Sequence, residues 1–64
     1  MERFSVNTSP DILNKLGREQ AEKEAVALFQ ENIREAGEDA GNYKMKCYID
    51  LRTDHLVCNA DKIN

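Results

Sequence analysis

Polar and apolar residues alternate from Arg3 to Asn7, with Phe4 and Val6 facing one way and Arg3, Ser5 and Asn7 the other. A period of two is the mark of a half-buried strand, here over residues 2–7. Asn7-Thr8-Ser9-Pro10-Asp11 then carries the signals of a helix start. Ser9 can cap, Pro10 suits the first helical position, and Asp11 puts negative charge in the first turn. Ile12, Leu13 and Leu16 follow, and Gly17 stands where a C-terminal glycine would end the turn. From Arg18 to Ala36 strong helix formers dominate, with neither glycine nor proline among them.

Gly17 separates two helices rather than sitting within one. At about 100° per residue, Ile12, Leu13 and Leu16 share one azimuth, and Ala25, Val26, Phe29, Ile33 and Ala36 centre roughly 160° from it. A single straight helix would aim its two halves at nearly opposite sides. The pattern therefore predicts a short helical turn over 10–16, a redirection at Gly17, and a main helix over 18–36. The buried stripe of that helix is expected to be Val26, Phe29, Ile33 and Ala36. Gly37-Glu38-Asp39-Ala40-Gly41-Asn42 has the composition of a loop.

The second half alternates again. Tyr43, Met45, Cys47, Ile49 and Leu51 share one parity, and Leu56, Cys58 and Ala60 share another. A two-residue turn at Thr53-Asp54, or a four-residue loop over Arg52–His55 in the same register, sets Leu51 opposite Leu56, Ile49 opposite Cys58 and Cys47 opposite Ala60. All of them then fall on one face. Strand 2–7 is expected to lie beside strand 55–61. The predicted fold is α+β, a small β-α-β-β domain with a three-stranded antiparallel sheet packed on the 18–36 helix. A helix of that length runs to about 28 Å and an eight-residue strand to about 26 Å, so one helix can cover one sheet face. The expected core is Phe4, Val6, Leu13, Leu16, Val26, Phe29, Ile33, Met45, Cys47, Ile49, Leu51, Leu56 and Cys58.

The 64 residues make a single domain, 1–64, because a second core would have too little chain to enclose it. With 41% apolar and 33% charged residues, the chain reads as folded rather than disordered. The longest apolar run, Ala25-Val26-Ala27-Leu28-Phe29, is far short of the ~20 residues that span a bilayer, so no membrane partner is expected. No basic start followed by an apolar segment marks a secretory leader, and a cytoplasmic location is the expectation. The net charge of −3 is uneven. Residues 18–42 hold three basic against seven acidic residues, a net of −4, and residues 43–64 hold four against three, a net of +1. A pI near 5.0 argues against a phosphate-tracking surface as the main business of the chain. A core this small sits near the lower limit of independent stability, which a homodimer or a tight partner would relieve.

Each candidate for chemistry has a plainer reading that fits better. Cys47 and Cys58 share the inner face but are diagonal in the expected register, and in a reducing compartment they read as free, buried thiols. A structural zinc wants four converging ligands and a nucleophilic cysteine wants a base within reach. His55 and Cys58 differ by three positions, so in a strand they point to opposite faces, and His55 reads as a solvated loop residue. The glycines at 17, 37 and 41 form no phosphate-cradling run. Asn7-Thr8-Ser9 matches a glycosylation acceptor, which has no role without a secretory route. Glu31 and Glu35 are spaced as neighbours on a solvated helix face rather than as a catalytic pair. No catalytic residue, metal site or cofactor is assigned, and the chain reads as non-enzymatic.

Two surfaces remain. The outer face of the hairpin presents Lys44, Lys46, Tyr48 and Arg52 on one strand, with His55 and Val57 on the other. Aromatic and arginine side chains are enriched where interfaces hold their energy. In the expected register Lys46 opposes Asp61 and Tyr48 opposes Asn59. The second candidate surface is the solvent side of the main helix, with Glu24, Glu31, Glu35 and Glu38, which solubility alone would also produce. Tyr43, Leu28 and Val57 are apolar groups that this small core is expected to leave near the surface.

Phe4-Ser5-Val6, followed by Ala21-Glu22-Lys23-Glu24-Ala25-Val26-Ala27-Leu28-Phe29 and a two-strand hairpin, resembles the small strand–helix–strand–strand proteins often encoded by phages. The likeness covers most of the chain as a pattern. It implies an inhibitor or modulator that docks on a host protein or a nucleic-acid-handling complex through protein contacts. The polar strand followed by a helix also resembles the start of ribbon-helix-helix repressors. Those are usually basic and end in helix, whereas this chain is acidic and ends in a hairpin. The expected function is a small protein–protein interaction module with another protein as partner. The alternative is a nucleic-acid-binding regulator that uses Lys44, Lys46, Tyr48 and Arg52.

Overall fold

Ser9 and Gly17 set the boundaries of the first helix. In the computed structural model, which describes residues 3–63, strand β1 (Arg3–Thr8) is followed at once by helix α1 (Pro10–Leu16). The Ser9 hydroxyl accepts from the Ile12 amide at 3.4 Å, and Pro10 opens the helix. Gly17 ends it in a left-handed conformation, φ 82°, and donates its amide to the Leu13 carbonyl at 2.8 Å. The same glycine starts helix α2 (Arg18–Glu35) in a new direction, as the opposed apolar azimuths required. A 3₁₀ turn over Ala40–Asn42 leads into strand β2 (Tyr43–Ile49), and strand β3 (Leu56–Lys62) completes the fold. The expected strand began at Glu2, which lies outside the described residues.

The sheet is antiparallel with order β1-β3-β2, so the last strand is central and the first pairs with it from Arg3↔Asp61 to Thr8↔Leu56. This is the α+β architecture that the patterning predicts: a three-stranded sheet with one main helix across one face. No helix among the described residues is long and apolar enough to cross a membrane.

The helix meets the sheet along a stripe spaced by fours. Ala21, Ala25, Phe29 and Ile33 are buried against Leu56, Cys58 and Ala60 of β3 and Tyr43 of β2. The expected stripe of Val26, Phe29, Ile33 and Ala36 is therefore rotated. Val26 is half-buried and Ala36 is exposed as the C-cap. Two alanines have no bulk to hold the helix off the sheet, so the N-terminal half of α2 turns its smallest residues inward. Tyr43, expected near the surface, is buried. Its ring lies 5.7 Å from that of Phe4, and its hydroxyl is 3.0 Å from a Glu38 carboxylate oxygen. Leu16 and Leu51 leave the expected core; both are exposed, Leu51 at 89%.

Leu51 is exposed because the hairpin register differs from expectation by two residues. Ile49 pairs with Leu56, Cys47 with Cys58 and Met45 with Ala60. The connection is a six-residue loop, 50–55, rather than a turn of two or four. Asp50 organises it. Its carboxylate accepts from the Arg52 amide at 2.9 Å, and its carbonyl accepts from Asp54 at 2.7 Å, with Asp54 at φ 59°. Asx-turn chemistry at Asp50 competes successfully with two more ladder positions. A shift of two leaves every side chain on its expected face, since the side-chain period is two.

The shift also brings the cysteines opposite each other, with Cα atoms 4.1 Å apart, the spacing of a narrow antiparallel pair. Cys47 and Cys58 form a disulfide on the inner face, under the helix. The expectation of free thiols, which rested on a diagonal placement, is overturned.

Two stability measurements test this packing. Phe29→Ala should cost about 3–5 kcal/mol, enough to leave so small a domain largely unfolded in a urea titration. Cys47 and Cys58 are 11 positions apart, so reduction should lower stability by about 2–3 kcal/mol. It should read as a lower melting temperature in excess dithiothreitol, with no further effect of reductant on the Cys47→Ala, Cys58→Ala variant.

Candidate interaction surface

The face of the sheet away from the helix is built in rows across all three strands. Arg3, Asp61 and Lys44 make one row, Ser5, Asn59 and Lys46 the next, and Asn7, Val57 and Tyr48 the third. The first two rows are tied on the β1 side. The Arg3 Nε donates to Asp61 Oδ1, and the Ser5 hydroxyl donates to Asn59 Oδ1 at 2.7 Å. The hydrogen bond to Asp61, and secondly the charge of Asp61, hold the Arg3 guanidinium above its ordinary pKa.

Because Asp61 faces Arg3, the lysines of β2 are left over. Lys44 and Lys46 form no ion pair among the described residues. The expected pairings of Lys46 with Asp61 and Tyr48 with Asn59 shift with the register, to Asn59 and Val57. Tyr48 is 51% exposed beside a half-buried Val57. Four of the expected residues, Lys44, Lys46, Tyr48 and Val57, thus share one flat face. It resembles a polar sheet surface with a single apolar and aromatic row at one end.

Arg52 and His55 do not join them, because the ladder ends at Ile49 and both belong to the loop. Arg52 is 91% exposed on its side chain, with its Nε 3.8 Å from Asp50. His55 is half-buried rather than fully solvated, its Nδ1 3.1 Å from the Thr53 carbonyl. Both cysteines are committed to their bond, so no Cys–His pair exists. No group of three or more His, Cys, Asp or Glu side chains is gathered for a metal among the described residues. Sequence reasoning missed Leu51, which projects with Arg52 from the tip next to the Tyr48 row. The signal that could have found it is the bracket of Asp50, Thr53 and Asp54 around the pair, a cluster of turn formers.

The acidic candidates divide as well. Glu24, Glu31 and Glu35 lie on the exposed side of α2, in one row with Leu28 between the first two. Glu38 is elsewhere. The chain reverses at Gly37, φ 76°, and the Glu38 amide donates to the Ile33 carbonyl at 3.0 Å. Its carboxylate reaches Lys62 Nζ at 2.6 Å as well as the Tyr43 hydroxyl, clipping the helix end to the two strands that follow it. Those hydrogen bonds, from Lys62 first and Tyr43 second, hold the Glu38 carboxyl below its usual range.

No protein-family model, curated protein or solved structure matches this chain, so the surfaces are read from their own geometry.

The Glu38 clip makes a pH prediction. A carboxyl whose folded pKa is lowered stabilises fully above its unfolded value, about 4.3 for glutamate. That contribution is lost as pH falls through the lowered folded value. Urea midpoints should therefore drop below about pH 4, and Glu38→Gln should flatten that part of the profile while lowering stability at neutral pH.

Proposed function

We propose that this protein is a non-enzymatic interaction module that docks on another protein through the outer face of its sheet. The observation that supports the reading most is the bare third row. Tyr48 stands half-exposed beside Val57, uncovered by any described element, with Leu51 and Arg52 projecting from the adjoining tip. Tyrosine and arginine supply most of the energy in protein interfaces, and a flat face suits them. The Cα atoms span 33 × 20 × 14 Å. The shortest dimension is the two-layer thickness, so the sheet offers the broad side, on the scale of the ~800 Å² a standard interface takes from each partner. The phage-type resemblance extends the reading to an inhibitor or modulator that docks on a host protein or a nucleic-acid-handling complex.

A nucleic-acid reading draws on the two lysines without ion partners, Lys44 and Lys46, near the exposed Arg52. Arg3 and Asp61 cancel and Asp50 lies 3.8 Å from Arg52, so the uncompensated charge is that of the two lysines, and a strongly cationic track is absent among the described residues. Protein docking is favoured on that balance. The Cys47–Cys58 bond bears on location. Structural disulfides persist in oxidising surroundings and cytosolic thiols are kept reduced, so the bond weighs against the cytoplasmic location expected from sequence.

The test is a double substitution. With a partner recovered from nuclease-treated lysate, Tyr48→Ala with Arg52→Ala should leave the circular dichroism unchanged and weaken binding by about 2 kcal/mol or more. Glu31→Lys with Glu35→Lys should alter only its salt dependence. Loss of every partner on nuclease treatment would establish the nucleic-acid reading instead.

A further inference from the structure

β1 is an edge strand of a different kind from β2. Its only backbone pairing among the described residues is to β3, so its outer N–H and C=O groups are open. Natural sheets blunt such edges with lysine, proline or a bulge. β2 carries Lys44 and Lys46 and no residue follows that pattern in β1: Arg3-Phe4-Ser5-Val6-Asn7-Thr8 has no lysine or proline, and Arg3 is turned onto Asp61. A six-residue strand with both ends of its ladder formed is a ready template for another strand.

Beside this edge runs an apolar groove of about 140 Å³. Val6, Ile12, Leu16, Ala21, Ala25 and Leu28 line it, and Leu28 is 47% exposed. An apolar cavity of roughly 150 Å³ accepts a benzene-sized group, so this groove has room for one leucine or phenylalanine side chain. The helix runs antiparallel to β1. Its Ala21–Ala25 end lies over Val6 and Thr8 at the groove, and its other end lies near Phe4 and Tyr43.

Charge decides what fits. Glu24 stands on the groove wall, and Glu31 and Glu35 continue its row along α2 towards the Phe4 end. None of the three forms an ion pair among the described residues, although Glu19 and Glu22 of the same helix are paired with Lys23 and Arg18. A second copy pairing β1 to β1 about a two-fold axis would set two such rows against each other across the seam. Like charges so opposed are repulsive. A cationic segment is attracted at the same place.

We propose that the free edge of β1 and its groove bind an extended basic segment of another protein, which joins the sheet as a fourth strand. Main-chain hydrogen bonds to β1 supply the general affinity. Every second side chain of the added strand faces the helix layer. At the Thr8 end that position carries an apolar group into the groove, and towards Phe4 the next ones carry lysine or arginine to Glu24, Glu31 and Glu35. This surface is separate from the outer sheet face and does not depend on the reading proposed for it.

The probe is a labelled peptide, acetyl-Thr-Leu-Thr-Lys-Thr-Lys-Thr-amide, titrated into the ¹⁵N-labelled protein. Amide shifts should gather on Arg3–Thr8, Ile12, Leu16 and Leu28. Glu24→Lys with Glu31→Lys should weaken binding at least tenfold, as should replacing both peptide lysines by glutamate. N-methylation of alternate peptide residues should abolish binding in one phase and spare it in the other. Tyr48→Ala with Arg52→Ala should bind the peptide normally, which separates this site from the outer face. Absence of binding, shifts centred on Lys46 and Tyr48, or equal binding of the lysine and glutamate peptides would overturn the proposal. So would β1 shifts that follow protein concentration without peptide, because they would show a second copy on that edge.

Discussion

The contact between α2 and the central strand holds every other part of this protein in place. Phe29 and Ile33 lie on Leu56, Cys58 and Ala60, and all five are essentially without solvent exposure. Among the described residues the buried side chains form one cluster, with no second one to share the burden. β3 can be central only because β1 and β2 both pair with it, one from each side, so a single strand receives the helix and both ladders. The rest follows from that geometry. β1 and β2 become edges, the opposite sheet face stays bare, and α2 turns its acidic row outward.

A second constraint, small in size, fixes which residues occupy those positions. The carboxylate and carbonyl of Asp50 bind the amides of Arg52 and Asp54, and the chain leaves the ladder two residues before the alternating pattern runs out. That one turn moves Leu51 from core to tip, sets Cys47 against Cys58, and puts Val57 rather than Asn59 beside Tyr48. The outer face acquires its apolar row, and the inner face its covalent bond, from the same two-residue shift.

Charge is distributed by layer. Among the described residues, the helix carries carboxylates without ion partners at Glu24, Glu31 and Glu35, and the sheet carries ammonium groups without ion partners at Lys44 and Lys46. Elsewhere charges close local contacts: Arg3 with Asp61 at one edge, Lys62 with Glu38 at the helix end. A sheet face with two lysines and one exposed aromatic, and an apolar groove with Glu24 on its wall, are surfaces of different chemistry.

Alternation and helix-forming composition determine the elements by themselves. The caps at Ser9 and Gly17, the two helices, the β-α-β-β order and the face on which each strand residue falls are all legible, because they depend on residues close in the chain and on periods that survive any register. The residues of the outer face follow from parity for the same reason, which is why Lys44, Lys46, Tyr48 and Val57 were placed together. Only the tertiary structure decided the rest. The register turned on a side chain competing with the ladder at Asp50, a difference that periodicity does not see. The rotation of α2, which buries Ala21 and Ala25 and leaves Val26 at the margin, came from how closely two layers can approach. The groove beside β1 needed three elements to meet, and Glu38 left the helix face because Lys62 and Tyr43, distant in sequence, stand where its carboxylate can reach both.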